Sequence, residues 1–214
     1  MSNKPKKYEE FSEMSEDELW DYCMLEYNST GFINKHIIEN FYNKIKLALD
    51  ELNNYQSVLE IGCGAGESSK RIFEMLYGRH FEASEYDSRY VRKLKGLNLP
   101  YKVTQESVYN LNRSNSEFDV ILLLEVLEHL EDVENALSEL FRVSKKYVII
   151  SVPNEPIWRI ANMARLKYLK DFGNTPGHIN HFSASSLKKI LSKYGEIKKV
   201  YRPFPWIIVL AEKK

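Results

Sequence analysis

An apolar segment that runs directly into three closely spaced glycines is the feature that most constrains the fold of this 214-residue chain. Residues 58–61 are followed by Gly62, Gly64 and Gly66, and a helical pattern begins at Ser68. Glycines between a strand and a helix allow the backbone to turn sharply and to approach a ligand closely. The sequence therefore predicts a ligand at a strand–helix turn, with a purely structural glycine turn as the alternative.

Strand-like and helix-like segments alternate from residue 57 onward. The predicted strands are 57–61, 80–85, 101–105, 118–124, 147–152, 197–201 and 206–211, and the helices among them are 68–77, 88–95, 132–143 and 184–194. This alternation is typical of an α/β fold, here a Rossmann-like, doubly wound sheet with helices on both faces. Because no helix separates the last two strands, we expect an antiparallel last strand at one edge.

Two regions do not follow this alternation. Residues 1–53 have a helical pattern, opened by a capping box at 15–18, and we interpret them as a helical N-terminal extension that caps the substrate. Residues 54–214 then form the main domain, with a substrate insert at 153–182 after the fifth strand. Within the insert, 157–169 has the pattern of a basic amphipathic helix. We interpret it as a lid, an anion-binding face or a peripheral membrane contact through 157–170, the alternative being an ordinary packed helix.

The charge is balanced overall but uneven along the chain. Residues 151–214 contain twelve Lys and Arg against four Asp and Glu, a net charge of +8, and the first 150 residues carry −8. The basic part is compatible with an anionic partner nearby, but a set of solvated lysine faces is the preferred explanation. The overall neutrality argues against nucleic acid as a partner. A polar start, short apolar runs and two cysteines without metal spacing predict a cytoplasmic, soluble protein. We expect a monomer or homodimer, which these features do not distinguish.

The spacing of the glycines disfavours a dinucleotide. The dinucleotide fingerprint requires a glycine at position 67, where this chain has Glu67, and an acidic side chain there repels a pyrophosphate. About twenty residues later, Glu85 ends the second strand, where a carboxylate can accept hydrogen bonds from ribose hydroxyls. Asp87 is its rival, but its position is more typical of a helix cap.

Four motifs together resemble the class I S-adenosylmethionine-dependent methyltransferases. They are V-L-E-I-G-C-G-A-G at 58–66, the acid Glu85, F-D-V-I-L-L-L-E-V-L-E-H-L at 118–130, and S-V-P-N at 151–154. The resemblance implies S-adenosylmethionine as cofactor and a seven-stranded sheet with a reversed last strand. It also implies cofactor contacts at Glu60, Gly62, Cys63, Gly64, Gly66, Glu85, Ser107, Val108 and Glu125. In that family the residues after the third strand contact adenine, which implies this role for Ser107 and Val108, although many members have an aspartate where this chain has Ser107.

The segment after the fourth strand contains two carboxylates and an imidazole, Glu125, Glu128 and His129. Such side chains can converge on a divalent cation, and a further ligand is expected from His181, with His178 as the second choice. The pattern resembles small-RNA 2′-O-methyltransferases and the O-methyltransferases of ubiquinone biosynthesis, which implies a metal, Mg or Mn, that binds the hydroxyl being methylated. The predicted catalytic residues are therefore Glu128, His129 and His181. The alternatives are Glu128 as a helix cap and His129 as a metal-free general base.

The sequence thus predicts an enzyme that methylates a hydroxyl on a small or lipid-like molecule. The alternatives are an RNA 2′-O-methyltransferase, a nicotinamide-dependent oxidoreductase and a catalytically inactive cofactor-binding protein. The glycine spacing argues against the second, and the intact glycine turn beside an acid–histidine cluster argues against the third.

Overall fold

The structure of the protein, a computed structural model, describes residues 11, 13–28, 32–164, 172, 174, 175 and 177–214. Its helices are α1 (Glu16–Asn28), α2 (Phe32–Asp50), α3 (Glu67–Met75), α4 (Ser88–Lys95), α5 (Val133–Val143), α6 (Glu155–Ala164) and α7 (Ala184–Leu191), with a 3-10 turn at Leu127–His129. Its strands are β1 (Ser57–Ile61), β2 (His80–Glu85), β3 (Lys102–Gln105), β4 (Phe118–Leu124), β5 (Ser144–Pro153), β6 (Gly195–Tyr201) and β7 (Trp206–Lys213).

The strands form one seven-stranded sheet in the order β3-β2-β1-β4-β5-β7-β6. Strands β1 to β5 are mutually parallel, and β7 is antiparallel to both β5 and β6. The predicted doubly wound sheet with an antiparallel last strand is therefore confirmed. In such a sheet, the loops that follow the carboxyl ends of the parallel strands meet at one edge, where ligands bind.

The sheet is buried on both faces, and β4 shows how its side chains divide between two cores. Ile121 and Leu123 point to a core shared with α5 and α7, whereas Val120, Leu122 and Leu124 point to one shared with α2, α3 and α4. A nearly continuous apolar strand is what burial on both faces requires. Helix α2 therefore packs directly against the sheet, although it lies in the predicted N-terminal extension.

Most predicted boundaries agree with the structure to within a few residues. Helix α7 ends at Leu191 rather than at residue 194. Strand β5 begins at Ser144 rather than at residue 147, because the exposed Lys145 and Lys146 interrupt the apolar pattern without ending the strand. The predicted helix 157–169 corresponds to α6, which begins earlier, at Glu155. Residues 165–169 of that prediction lie outside the described residues. Within the described chain, no helix is both long and apolar enough to cross a bilayer.

Helix α1 is attached to α4 by ion pairs near the carboxyl end of β2. The predicted capping box is present, since the Ser15 backbone N–H donates to Glu18 Oε2 (2.9 Å) and the Glu18 N–H donates to Ser15 Oγ (3.3 Å). Arg92 Nε lies 2.7 Å from Glu16 Oε2, and Lys93 pairs with Asp17. These contacts hold α1 against α4, the helix that follows β2.

Candidate active site

The glycine-rich turn links the end of β1 to α3 and leaves one side open. Gly62, Gly64 and Gly66 all have positive φ angles, of 77°, 53° and 84°. A Cβ atom on Gly62 would lie 2.6 Å from Val126 Cγ2, so the turn packs closely against the segment that follows β4. A Cβ atom on Gly64 would meet no atom within 4 Å. The backbone at Gly64 therefore faces open space that a ligand can occupy.

Glu85 connects this turn to the end of β2. Its Oε2 accepts a hydrogen bond from the Gly64 N–H (2.8 Å), and its Oε1 accepts one from the Asp87 N–H (2.8 Å). Burial raises the pKa of the Glu85 carboxyl, while these backbone donors oppose the change. Asp87 itself accepts a hydrogen bond from the Arg89 N–H and begins α4, so its prediction as a helix cap is confirmed.

Glu60 lies under the same turn, on β1. Its side chain is buried, and its carboxylate accepts a hydrogen bond from the Ser69 hydroxyl in the first turn of α3. Burial raises its pKa from 4.5 to about 7, with hydrogen bonds from Ser68 and Ser69 opposing the change and the nearby Glu85 adding to it. Burial, followed by these two carboxylates, also raises the pKa of the Cys63 thiol. The thiol is therefore protonated and unreactive at neutral pH.

Ser107 and Val108, the predicted adenine contacts, follow β3 at the same edge. Ser107 Oγ accepts a hydrogen bond from the Tyr109 N–H (3.3 Å), and Ser107 forms an isolated bridge with Asn110. Val108 is buried against the α5–α7 core. These contacts give the loop a defined conformation, and the adenine contact itself stays a prediction.

Glu125 follows β4 and is hydrogen-bonded to β5. Its Oε1 accepts a hydrogen bond from the Ser151 hydroxyl (2.7 Å), and its φ of 58° is unusual for a residue other than glycine. Burial raises the pKa of its carboxyl to about 8. Its unusual backbone angle turns the chain at the end of β4 and directs Val126 toward the glycine-rich turn.

A cluster of one carboxylate and two imidazoles lies immediately beyond. Single ligand atoms of Glu128, His129 and His178 all lie within 4.8 Å of one another. Glu128 is 1% exposed, and its Oε2 has no hydrogen-bond partner among the described residues. Burial raises the pKa of Glu128 well above its usual range, and the negative charges of Glu125 and Glu155 add to the effect. The N-terminal cap of α5 is Asp132, so the alternative of Glu128 as its cap is wrong.

His129 is oriented by a backbone carbonyl. Its Nδ1 lies 2.9 Å from the Gly177 carbonyl oxygen, and since a carbonyl can only accept, Nδ1 must carry the hydrogen. In the neutral ring, Nε2 is then the nitrogen with a free lone pair, and it lies 4.0 Å from Glu128 Oε1. Burial lowers the pKa of His129, which favours this neutral form.

The two later histidines are placed differently from the sequence-based preference. His178 is buried, and its ring centroid lies 4.9 Å from that of His129. His181 has a side chain that is 42% exposed, with Nδ1 3.5 Å from Glu155 Oε2, and it does not belong to the cluster. The backbone N–H groups of Ile179 and Asn180 both donate to the Glu128 carbonyl, which fixes the segment with His178 inward.

Sequence analysis overlooked Glu155, which contacts both later histidines. It lies in the first turn of α6, directly after S-V-P-N, and its side chain is 4% exposed. A cleft of about 410 Å³ opens beside it, lined by Glu155, Arg159, His181, Phe182, Ser183 and Ser186. An acid directly after the fifth strand was visible in the sequence, but only the fold brings it to the histidines.

Comparison with known proteins gives consistent matches. A family model described as a methyltransferase domain matches residues 33–195. The chain is 29% identical over 127 residues to a ubiquinone biosynthesis O-methyltransferase of Pelagibacter ubique. The matched region covers 56% of this chain and 50% of that protein. The chain spans about half the length of the curated relatives that it matches.

Solved structures share the fold. A SAM-dependent methyltransferase from Aquifex aeolicus has a TM-score of 0.62 at 20% identity, covering 80% of this chain and 89% of that one. Magnesium protoporphyrin IX methyltransferase from Synechocystis, solved with bound SAH, has a TM-score of 0.61 at 16% identity, covering 87% and 89% of the two chains.

Proposed function

Since the chain belongs to the class I S-adenosylmethionine-dependent methyltransferase family, we propose that it methylates a hydroxyl on a small or lipid-like molecule with the help of a divalent metal ion. The observation that carries this proposal is the cluster of Glu128, His129 and His178 beside the glycine-rich turn. The name of the Pelagibacter relative, an O-methyltransferase, points to the same acceptor atom.

The glycine-rich turn fits S-adenosylmethionine. The open side of Gly64 offers room for a ligand, and Glu85 and Glu60 supply carboxylates on two neighbouring strands. When bound, this cofactor supplies a methyl group on a positively charged sulfur. We assign Gly62, Cys63, Gly64 and Gly66 to its amino-acid part and Glu85 to its ribose. Burial raises the pKa of both carboxyls, and a cationic ligand bound beside them would favour their charged forms.

The acid–histidine cluster fits a divalent metal. Three carboxylates, of Glu125, Glu128 and Glu155, interact electrostatically, and Glu128 Oε2 has no hydrogen-bond partner among the described residues. Buried carboxylates so close together require protons or a cation as compensation. When bound, a divalent ion lowers the pKa of a hydroxyl that it contacts and fixes its position. Glu128, His129 and His178 are the residues that would hold it, and a set with two imidazole nitrogens suits Mn²⁺ better than Mg²⁺.

The insert favours an acceptor with apolar character. Ile157 and Ile160 of α6 are 38% and 62% exposed, and Phe172 is 72% exposed. Arg159 Nε donates to the Phe172 carbonyl (3.0 Å), so Phe172 is held next to this helix. An exposed apolar surface next to Arg159, which lines the cleft, supports binding of a lipid-like molecule or contact with a membrane surface.

Radiolabelled methyl transfer tests the proposal. We expect the purified protein to transfer label from S-adenosylmethionine to an acceptor in a cell extract, and mass spectrometry of the product to identify a new methyl ether. Exhaustive chelation should abolish transfer, and Mn²⁺ or Mg²⁺ should restore it. Full activity in chelator would refute the metal and leave His129 as a general base. A methylated nitrogen or carbon would refute the hydroxyl acceptor.

A further inference from the structure

Glu155 forms a buried pair with His178. Glu155 Oε1 lies 2.8 Å from His178 Nδ1, and the two side chains are 4% and 6% exposed. The second oxygen, Oε2, has no hydrogen-bond partner among the described residues, although His181 Nδ1 lies 3.5 Å away. Such a contact between buried polar groups fixes the orientation of both side chains, because breaking it leaves His178 Nδ1 and Glu155 Oε1 without a hydrogen-bond partner.

The backbone on both sides holds this pair in place. The Glu155 N–H donates to the Phe182 carbonyl (3.3 Å), and the preceding Asn154 N–H donates to the Pro205 carbonyl (2.9 Å). On the other side, the Trp158 ring lies 6.3 Å from the His178 ring, and its Nε1–H donates to Thr175 Oγ1 (2.8 Å). The His178 ring is therefore held between α6 and the His129 ring.

The pair also decides which nitrogen of His178 is available. A carboxylate accepts hydrogen bonds, so Nδ1 of a neutral His178 must carry the hydrogen, and the lone pair is then on Nε2. His129 is in the same state for a parallel reason, since the Gly177 carbonyl holds its Nδ1–H. Both imidazoles thus keep Nδ1 engaged outside the cluster and leave Nε2 free to act as a ligand.

We propose that Glu155 is a positioning residue, which holds His178 in the Nδ1–H form so that its Nε2 serves the cluster with Glu128 and His129. This inference rests on the proposed metal-assisted function. Outer carboxylates of this kind orient ligating histidines and raise their basicity, and their loss typically lowers metal affinity about 10–100-fold. Glu155 is not itself a ligand in this proposal, because it acts through His178.

A double-mutant cycle on Mn²⁺ affinity tests the proposal. Calorimetric titration with MnCl₂ would compare the wild type with Glu155→Gln, His178→Asn and the double variant. We expect Glu155→Gln to weaken Mn²⁺ binding about 10–100-fold. In the His178→Asn background, the same change should have an effect of less than about twofold, since the residue through which Glu155 acts is gone. Glu134→Gln, an exposed glutamate on α5, is the matched control and should bind Mn²⁺ like the wild type.

Histidine ¹⁵N spectra of the metal-free protein give a second measurement that requires no metal. We expect His178, assigned with the His178→Asn variant, to be protonated on Nδ1 in the wild type. Affinity for S-adenosylhomocysteine reports whether each variant folds, and it should not change. His178 protonated on Nε2, or multiplicative losses of Mn²⁺ affinity in the double variant, would overturn the proposal. A wild type that binds no Mn²⁺ would refute the metal in the proposed function, and the spectra would still decide the role of Glu155.

Discussion

Glu60→Gln should change how the stability of the ligand-free protein depends on pH. The Glu60 carboxyl is buried, and its pKa is raised from 4.5 to about 7, mainly because burial removes water from the charged form. The folded state therefore holds this proton more tightly than the unfolded state does. Its contribution to stability is fully present below pH 4.5 and is lost as the pH rises to about 7. A difference of about 2.5 in pKa corresponds to about 3 kcal/mol over that interval.

Glutamine at this position imitates the protonated acid and keeps an oxygen that can accept from Ser69. Urea unfolding of the wild type and of Glu60→Gln at half-unit steps from pH 4.5 to 8 measures the difference in unfolding free energy. We expect the wild type to lose stability relative to the variant by up to about 3 kcal/mol as the pH rises, with a steepest slope of about 1.4 kcal/mol per pH unit.

The matched control is Glu74→Gln, an exposed glutamate on α3, for which the unfolding curves should stay parallel to those of the wild type. Contributions from titrating groups that lie far from Glu60 cancel in these differences when the mutation leaves the rest of the fold intact. A wild-type-minus-Glu60→Gln difference that is constant across this range would refute the reasoning, since it would mean that Glu60 has the same pKa in both states.

Three further predictions concern the turn, the histidines and the insert. Gly62→Ala should lower the affinity for S-adenosylhomocysteine and destabilise the fold by about 1–3 kcal/mol, because Gly62 has a positive φ and a Cβ atom there would lie 2.6 Å from Val126. Gly78 also has a positive φ but open space around it, so Gly78→Ala should leave the affinity measured by calorimetry unchanged. In calorimetric titration, His178→Asn should weaken Mn²⁺ binding by more than tenfold, and His181→Asn should weaken it less. The reverse order would support His181 as the metal ligand in place of His178. Ile160→Asp should reduce co-sedimentation with anionic vesicles at low salt, and unchanged sedimentation would contradict a membrane contact through α6.

The fold could be predicted because local patterns determine it. Alternating apolar segments identified the strands, and the glycines, the capping box at 15–18 and Asp87 marked where helices begin. The start of β5 was misplaced because Lys145 and Lys146 look like loop residues, yet they remain in the strand with their side chains exposed. Periodicity reports which side chains are buried, so it cannot detect a strand that continues past two exposed residues.

The candidate site was less predictable, since its geometry depends on contacts far apart in the chain. Residues 177–182 have no regular secondary structure, so spacing could not decide between His178 and His181. In the structure, the Glu128 carbonyl accepts hydrogen bonds from Ile179 and Asn180, about fifty residues later, and this contact places His178 rather than His181 beside His129. Glu155 went unnoticed for the same reason, because its pairing with His178 spans 23 positions.

The glycine-rich turn belongs to the fold that the sequence predicts, and it contacts the segment that carries the less predictable candidate site. A side chain at Gly62 would collide with Val126, so the absence of one allows the segment after β4 to pack against the turn. That segment carries Glu128 and His129, and its position sets how far the acid–histidine cluster lies from the open side of Gly64. The same turn that leaves room for a ligand therefore also fixes the distance between that ligand and the groups proposed to activate the acceptor. A substitution at Gly62 should accordingly lower the rate of methyl transfer more than it lowers the affinity for the cofactor. If the turn only bound the cofactor, the substitution would lower the rate and the affinity by similar factors.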